Sequence, residues 1–323
     1  VKNCHNVKAR GLKATILRKL GKIEEAKQWI KENFKIDPFD YISGYEAVLL
    51  TEGEEKAIKE QTLKIQMRNS PQNFIRAAID YRESGCFEEA LGILSLCGAQ
   101  WPMLDYYRAA CLMDMGNTEA AKKKVIIADK INPFCCFPNS LEDIAVLELA
   151  IQLQPQRPKA YYYIGNIWYD KRQYEKAQDA WETSVKLDCT YPTVLRNLSL
   201  VYYNQSNMPE KAKEVLEKAF LLDTTDARIF LELDQLYKKL GYSVENRITF
   251  YEKYPEIFAK RDDVFIEYIT MQNFVGHHEK AYELLMGRKF HPWEGGEGKV
   301  TTQYTTSLVE LAKKAIVKEN FTS

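Results

Sequence analysis

The stretch PKAYYYIGNIWYDKRQYEKAQDAWETSVKLDCTY, residues 158–191, decides the fold. Its apolar and aromatic residues recur with the 3.6-residue period of a helix, on either side of an exposed turn at Lys171. Gly165 and Ala177 are small, so two antiparallel helices can approach closely there, while Tyr161, Trp168 and Trp181 fill the space around the contact. Such a pair leaves one face uncovered. Stacking a further pair buries it, so the unit has to recur.

It does recur. A small residue stands early in each proposed second helix, at Ala26, Ala57, Ala90, Ala121, Ala177, Ala212 and Ala281, with Asn246 at the matching place in one degenerate copy. The gaps are 31, 33 and 31 residues in the first half and 35 from Ala177 to Ala212. Gly21, Gly85, Gly116, Gly241 and Gly276 lie five residues before these markers, where a helix ends in a left-handed conformation, and Asp37-Pro38 and Asn132-Pro133 close two units. The phase breaks between Ala121 and Ala177, 56 residues apart, around the Pro-bounded apolar run Asn132 to Pro138. Ser140 and Asp143 have capping-box spacing ahead of the apolar run Leu141 to Leu153, with Pro155 and Pro158 beyond it, which predicts one extra helix. No segment alternates with the period of a strand.

The spacing of Tyr161, Ile164-Gly165, Trp168, Ala177 and Trp181 resembles the W-x-x-L-G-x-x-Y…A-x-x-x-F pattern of the 34-residue tetratricopeptide repeat. The expectation is an all-α, tetratricopeptide-like α-solenoid: a right-handed superhelix of about eight antiparallel helix pairs plus single helices. It divides into repeats at 1–138 and 139–323 within one continuous solenoid, interrupted by an ordered loop at 288–299.

The second half resembles something narrower. The strings YYYIGNIWYDKRQYEKA (161–177), RNLSLVYYN (196–204), LELDQLYKKLG (231–241), RDDVF (261–265) and FHPWEGGEGKV (290–300) are similar to the C-terminal helical region of large bacterial proteins. Those proteins carry, ahead of their repeats, a β-rich domain of uncharacterised function with a suspected link to carbohydrate chemistry. The resemblance covers about residues 140–310 and implies that this chain is the repeat portion of a larger protein. A start at Val1, without an initiator Met or a signal peptide's apolar stretch, agrees with that expectation. A cytoplasmic site is the expectation from the cysteines, which read as belonging to a reducing compartment.

Composition narrows the partners. Lys+Arg and Asp+Glu balance at 45 each, so the bulk positive field that gathers nucleic acid or anionic membrane is absent, and no run approaches the ~20 apolar residues of a membrane span. The seven cysteines (Cys4, Cys86, Cys97, Cys111, Cys135, Cys136 and Cys189) lack a paired C-x-x-C spacing and read as small buried hydrophobes. The adjacent His277 and His278 would point about 100° apart on a helix. No metal and no cofactor are expected.

The first helix of each pair lines the inner face of such an array. Groove-facing positions then fall on Lys159, Tyr162, Asn166, Tyr169 and Asp170, on Arg196, Tyr203 and Asn204, and on Arg228, Gln235 and Lys238. Rings and planar hydrogen-bonding groups together suit an extended peptide or a sugar chain, and an ordinary hydrated helix face would read the same way. Capture of a terminal carboxylate, as in some eukaryotic repeat domains, would place Asn166, Asn197 and Arg228 correctly. Tyr162 and Glu232 fill the other two positions, and the glutamate would repel the ligand.

The loop is the second candidate. Pro292 blocks helix continuation, Gly295, Gly296 and Gly298 free the backbone, and Trp293 would plug a helix pair or offer a stacking platform amid Arg288, His291, Glu294 and Glu297. A glycosidase reading would pair Glu294 with Glu297, or Asp262 with Asp263. Adjacent aspartates diverge on a helix and more simply sit at its start. No Ser/His/Asp order, phosphate-cradling loop or metal spacing appears, so the expectation is a docking scaffold and not an enzyme. Its partner is a protein or peptide, including the upstream domain; the alternative is a helical region completing a sugar site on that domain.

Overall fold

The computed structural model describes residues 3, 5–133, 135–188 and 190–320, except the side chains of 318–320. Among the described residues all regular structure is helical: nineteen α-helices and no strand. The chain forms two compact units, 1–187 and 188–323.

Unit 1 holds five helix pairs. These are α1 (Val7–Lys19) with α2 (Ile23–Ile36), α3 (Tyr41–Leu49) with α4 (Gly53–Gln66), α5 (Pro71–Glu83) with α6 (Phe87–Leu96), α7 (Pro102–Asp114) with α8 (Thr118–Lys130), and α10 (Pro158–Asp170) with α11 (Tyr174–Leu187). The single helix α9 (Leu141–Leu153) packs on α7 and α10 and has the predicted bounds. Its capping box is formed in both directions: the Ser140 hydroxyl accepts from the Asp143 N–H, and the Asp143 carboxylate accepts from the Ser140 N–H.

Unit 2 holds three pairs: α12 (Pro192–Asn204) with α13 (Pro209–Leu222), α14 (Ala227–Lys239) with α15 (Val244–Glu252), and α17 (Asp262–Phe274) with α18 (His278–Met286). The short α16 (Pro255–Phe258) and the terminal α19 (Lys299–Asn320) complete it. Eight pairs with single helices is the predicted count.

The pairs share one internal register. The eighth residue of the first helix meets the neighbourhood of the fourth residue of the second: Ala14 with Ala26, Ala78 with Ala90, Ala109 with Ala121, Gly165 with Ala177, Ser199 with Ala212. All of these are buried. Gly165 is the tightest case, because a Cβ there would lie 2.5 Å from the Trp181 indole. The turn five residues before each marker is left-handed at Gly21, Gly85, Gly116, Gly241 and Gly276, with φ between 74° and 84°. Arg172 (φ 57°) and Asn207 (φ 50°) hold the same conformation at the same place in their pairs, so the geometry survives without glycine.

Two markers need correcting. Ala57 is exposed, because α4 begins at Gly53 and its fourth residue is Lys56; Leu63 is what the helix buries. Asn246 is also exposed, and the inward position is Arg247. There the small–small contact is replaced by an ion pair: Arg247 donates to both oxygens of Asp234 at 2.7 Å, and the Tyr251 hydroxyl donates to the same carboxylate at 3.1 Å. Asp234 is the eighth residue of α14, so charge complementarity fills the gap that two small residues fill elsewhere.

Candidate functional site

The first helix of each pair carries the predicted stripe, and the two best-defined examples behave differently. On α10, Tyr162 is 3% exposed and packs its ring 5.2 Å from that of Tyr163, so it is a core residue and not a groove ligand. With no side chain at Gly165, the Trp181 indole lies against α10 and its N–H donates to the Tyr162 carbonyl (3.2 Å) and to Asn166 Oδ1 (3.1 Å). The Tyr169 ring lies tilted against the same indole, 5.5 Å between ring centres, and also meets Tyr174 at 5.3 Å. Lys159 reaches back to the Ile131 carbonyl at 2.7 Å. Asp170 alone of this stripe is well exposed, paired with Lys171 at 2.7 Å. These residues pack the α10/α11 pair.

Counting from the proline that opens α10 and α12, Tyr162, Tyr169 and Asp170 correspond to Arg196, Tyr203 and Asn204; counting from the first residue of the second helix, Trp181 of α11 corresponds to Leu216 of α13. Leu216 carries no indole, and Ser199 stands where Gly165 leaves room for one. A cavity of about 90 Å³ stands open there, with Leu216 in its wall, Arg196, Ser199, Leu200, Tyr203 and Asn204 from α12, and Glu232, Gln235, Leu236 and Lys239 from α14. Four predicted residues, Arg196, Tyr203, Asn204 and Gln235, are thus brought together.

Within this cavity the charges are already arranged. Arg196 makes a two-toothed contact with Glu232, at 2.6 and 2.5 Å, and Arg228 adds a third bond to the same carboxylate at 3.2 Å. Arg228 and Lys238 do not line the cavity; Lys238 points to Glu267, 4.0 Å away. Lys239 takes the place expected of Lys238, because one residue turns a helix by about 100°. Its ammonium lies 4.9 Å from the centre of the Tyr203 ring. Asn204 and Gln235 are exposed, and among the described residues their side-chain amides have no hydrogen-bond partner. Glu232 is the groove glutamate expected to repel a carboxylate; the lining residues that the sequence left unmarked are Ser199, Leu200, Leu216, Leu236 and Lys239, and Leu216 is legible only once the second helices are aligned on their first residues.

The loop at 288–299 is tied down by Asp262. Arg288 donates to Asp262 Oδ1 (2.7 Å) and to the Ala259 carbonyl (2.7 Å), and its guanidinium covers the Phe265 ring at 4.5 Å. The His291 N–H donates to Asp262 Oδ2 at 2.8 Å. Burial pushes the Asp262 carboxyl up, but the His291 N–H and the Arg288 guanidinium outweigh it and hold it below the usual 3.8. Asp262 and Asp263 do lie in the first turn of α17, yet Asp262 anchors the loop while Asp263 pairs with Arg261. Trp293 is half-buried against its own loop: a Cβ on Gly296 would come within 2.3 Å of the indole. Glu294 and Glu297 are exposed. Arg288 and His291 therefore hold the loop in place.

Among the described cysteines, Cys86, Cys97, Cys111 and Cys136 are buried as expected, and burial pushes the Cys111 and Cys136 thiols up to about 12. Cys135 is exposed instead, in a left-handed turn (φ 58°) that faces it outward; Cys4 and Cys189 lie outside the described residues, as does Phe134 of the Pro-bounded run. Among the described residues no group of three or more His, Cys, Asp or Glu could hold a metal, and no helix is long and apolar enough to cross a membrane.

Residues 7–40 and 158–191 each match a tetratricopeptide repeat family model. Similar solved structures include the C-terminal part of a TPR repeat-containing protein from Cytophaga hutchinsonii, 17% identical, covering 71% of this chain and 98% of that one at a TM-score of 0.41. MamA (41-end) from Desulfovibrio magneticus RS-1 is 18% identical over 59% of this chain and 97% of its own, with a TM-score of 0.35. A thermophilic TPR protein of Thermus thermophilus is 18% identical over 62% of this chain and 98% of its own, with a TM-score of 0.34. The chain therefore carries tetratricopeptide repeats on an all-α, helix-pair fold, a type that commonly serves as a protein-interaction scaffold.

Proposed function

We propose that this chain is a docking scaffold that receives an extended peptide segment in the groove formed by α12 and α14. The observation that carries this reading is the cavity between α12 and α14, with Leu216 where the preceding pair has Trp181, beside two amides that have no hydrogen-bond partner among the described residues. Asn204 and Gln235 each offer a donor and an acceptor, the pattern an extended backbone presents in return, and Tyr203 adds apolar area at low entropic cost. The peptide can belong to a partner protein or to another domain of the same polypeptide, since the chemistry is the same. The loop at 288–299 serves as a latch on α17, because Arg288 and His291 are both engaged by Asp262.

A random-peptide library screen, followed by hydrogen–deuterium exchange on the hits, tests this directly. Bound peptide should slow exchange in α12 and α14 and leave α10 unchanged. Protection confined to α10, or a screen without hits, would remove the groove as the recognition surface.

A further inference from the structure

The cationic groups of the groove are not equivalent, and their difference specifies the ligand. Arg196, on the cavity wall, and Arg228, outside it, converge on Glu232, so the fork-shaped guanidinium of Arg196 is filled by the protein's own carboxylate. Glu232 belongs to α14 and Arg196 to α12, so the pair also ties the two walls together. Lys239, two helical turns beyond Glu232 on the same wall, has no carboxylate partner among the described residues. It is exposed, poised over the Tyr203 ring and next to Gln235 and Asn204.

We infer that the groove selects an extended peptide bearing one acidic side chain, taken by Lys239, and that Glu232 is the specificity-determining residue that denies a second carboxylate the Arg196–Arg228 position. This rests on the reading of the groove as a peptide site. A ligand carboxylate at Lys239 meets an unneutralised ammonium and loses little hydration at an exposed position, so its contribution is modest. A carboxylate brought to Arg196 meets Glu232 first and is repelled. A lysine-bearing peptide gains nothing at Lys239 and is repelled there.

The experiment uses the whole chain and three fluorescein-labelled decapeptide pools, randomised except for a central Glu, Gln or Lys. Fluorescence polarisation should rank the pools Glu, Gln, Lys, with the Glu pool about threefold tighter than the Gln pool. Lys239→Gln should remove that preference, and Glu232→Gln should tighten the Glu pool by about tenfold by releasing Arg196 and Arg228. Equal affinity of the three pools, or a preference that survives Lys239→Gln, overturns the acidic selection while leaving the groove a peptide site. No gain in Glu232→Gln overturns the role of Glu232. Because losing the Arg196–Glu232 tie could loosen the walls, Glu232→Ala is measured beside it, and melting temperatures confirm that both fold. No binding of any pool would count against the peptide reading itself.

Discussion

The α10/α11 and α12/α13 pairs are built on one plan and differ at two linked positions, Gly165 against Ser199 at the crossing and Trp181 against Leu216 in the second helix. Both open on proline, both place a small residue at the helix crossing, and both turn on a non-glycine residue in the left-handed region. In the first, Trp181 spans the pair and gathers Tyr162, Asn166 and Tyr169 around its indole. In the second, Leu216 carries no indole, and the same face of the helix lines an open cavity. A repeat therefore does not present its inner stripe to a partner by default. The two stripes diverge at one place, where Tyr162 is buried and Arg196 is half-buried in a cavity wall, whereas Tyr169 and Tyr203 are both half-buried and Asp170 and Asn204 both exposed.

The largest test of this contrast is Tyr162→Ala, which should destabilise unit 1 by about 3–5 kcal/mol, as truncation of a buried ring does. Asn204→Ala with Gln235→Ala should change stability by less than about 0.5 kcal/mol. Comparable shifts in thermal denaturation would mean that the two stripes do not differ in role. Next, Gly165→Ala pushes a methyl group into the Trp181 indole and should cost about 1–3 kcal/mol, whereas Ser199→Ala adds no volume and should cost less than about 1 kcal/mol. Equal losses would show that the indole can move aside.

The smallest effect separates the loop from the groove within unit 2. Because Asp262 titrates below 3.8 in the folded chain, its contribution is present above that value and lost as pH falls through the lower, folded one. Acidification below about pH 4 should release the loop and shift the emission of Trp293, read as the difference between wild type and Trp293→Phe. Asp262→Asn should show the same shift at neutral pH. An unchanged difference spectrum in that variant would mean that the loop does not depend on Asp262.

Much of this was legible in the sequence. The markers at Ala26, Ala90, Ala121, Ala177, Ala212 and Ala281 fall at buried crossings, and α9 runs from Leu141 to Leu153 as its capping box predicts. Ala57 and Asn246 failed because periodic spacing cannot detect that a helix starts late or that an Arg–Asp pair has replaced two small residues. The inner stripe was half right for a related reason. Helical phase places Tyr162 and Arg196 on the same face, but it does not show that the first is covered and the second lines a cavity. The loop's charged residues are visible in the sequence, while the attachment of Arg288 and His291 to Asp262, 26 residues earlier for Arg288, is a tertiary fact.

The claim that the recognition groove is open because no indole fills it is tested most directly by the affinity of library-selected peptides for the double variant Leu216→Trp with Ser199→Gly, which restores both the indole and the room that Gly165 gives it in the preceding pair. That indole should occupy the cavity and weaken binding by about tenfold or more while the chain remains folded by its melting curve. Wild-type affinity in a folded double variant would contradict it.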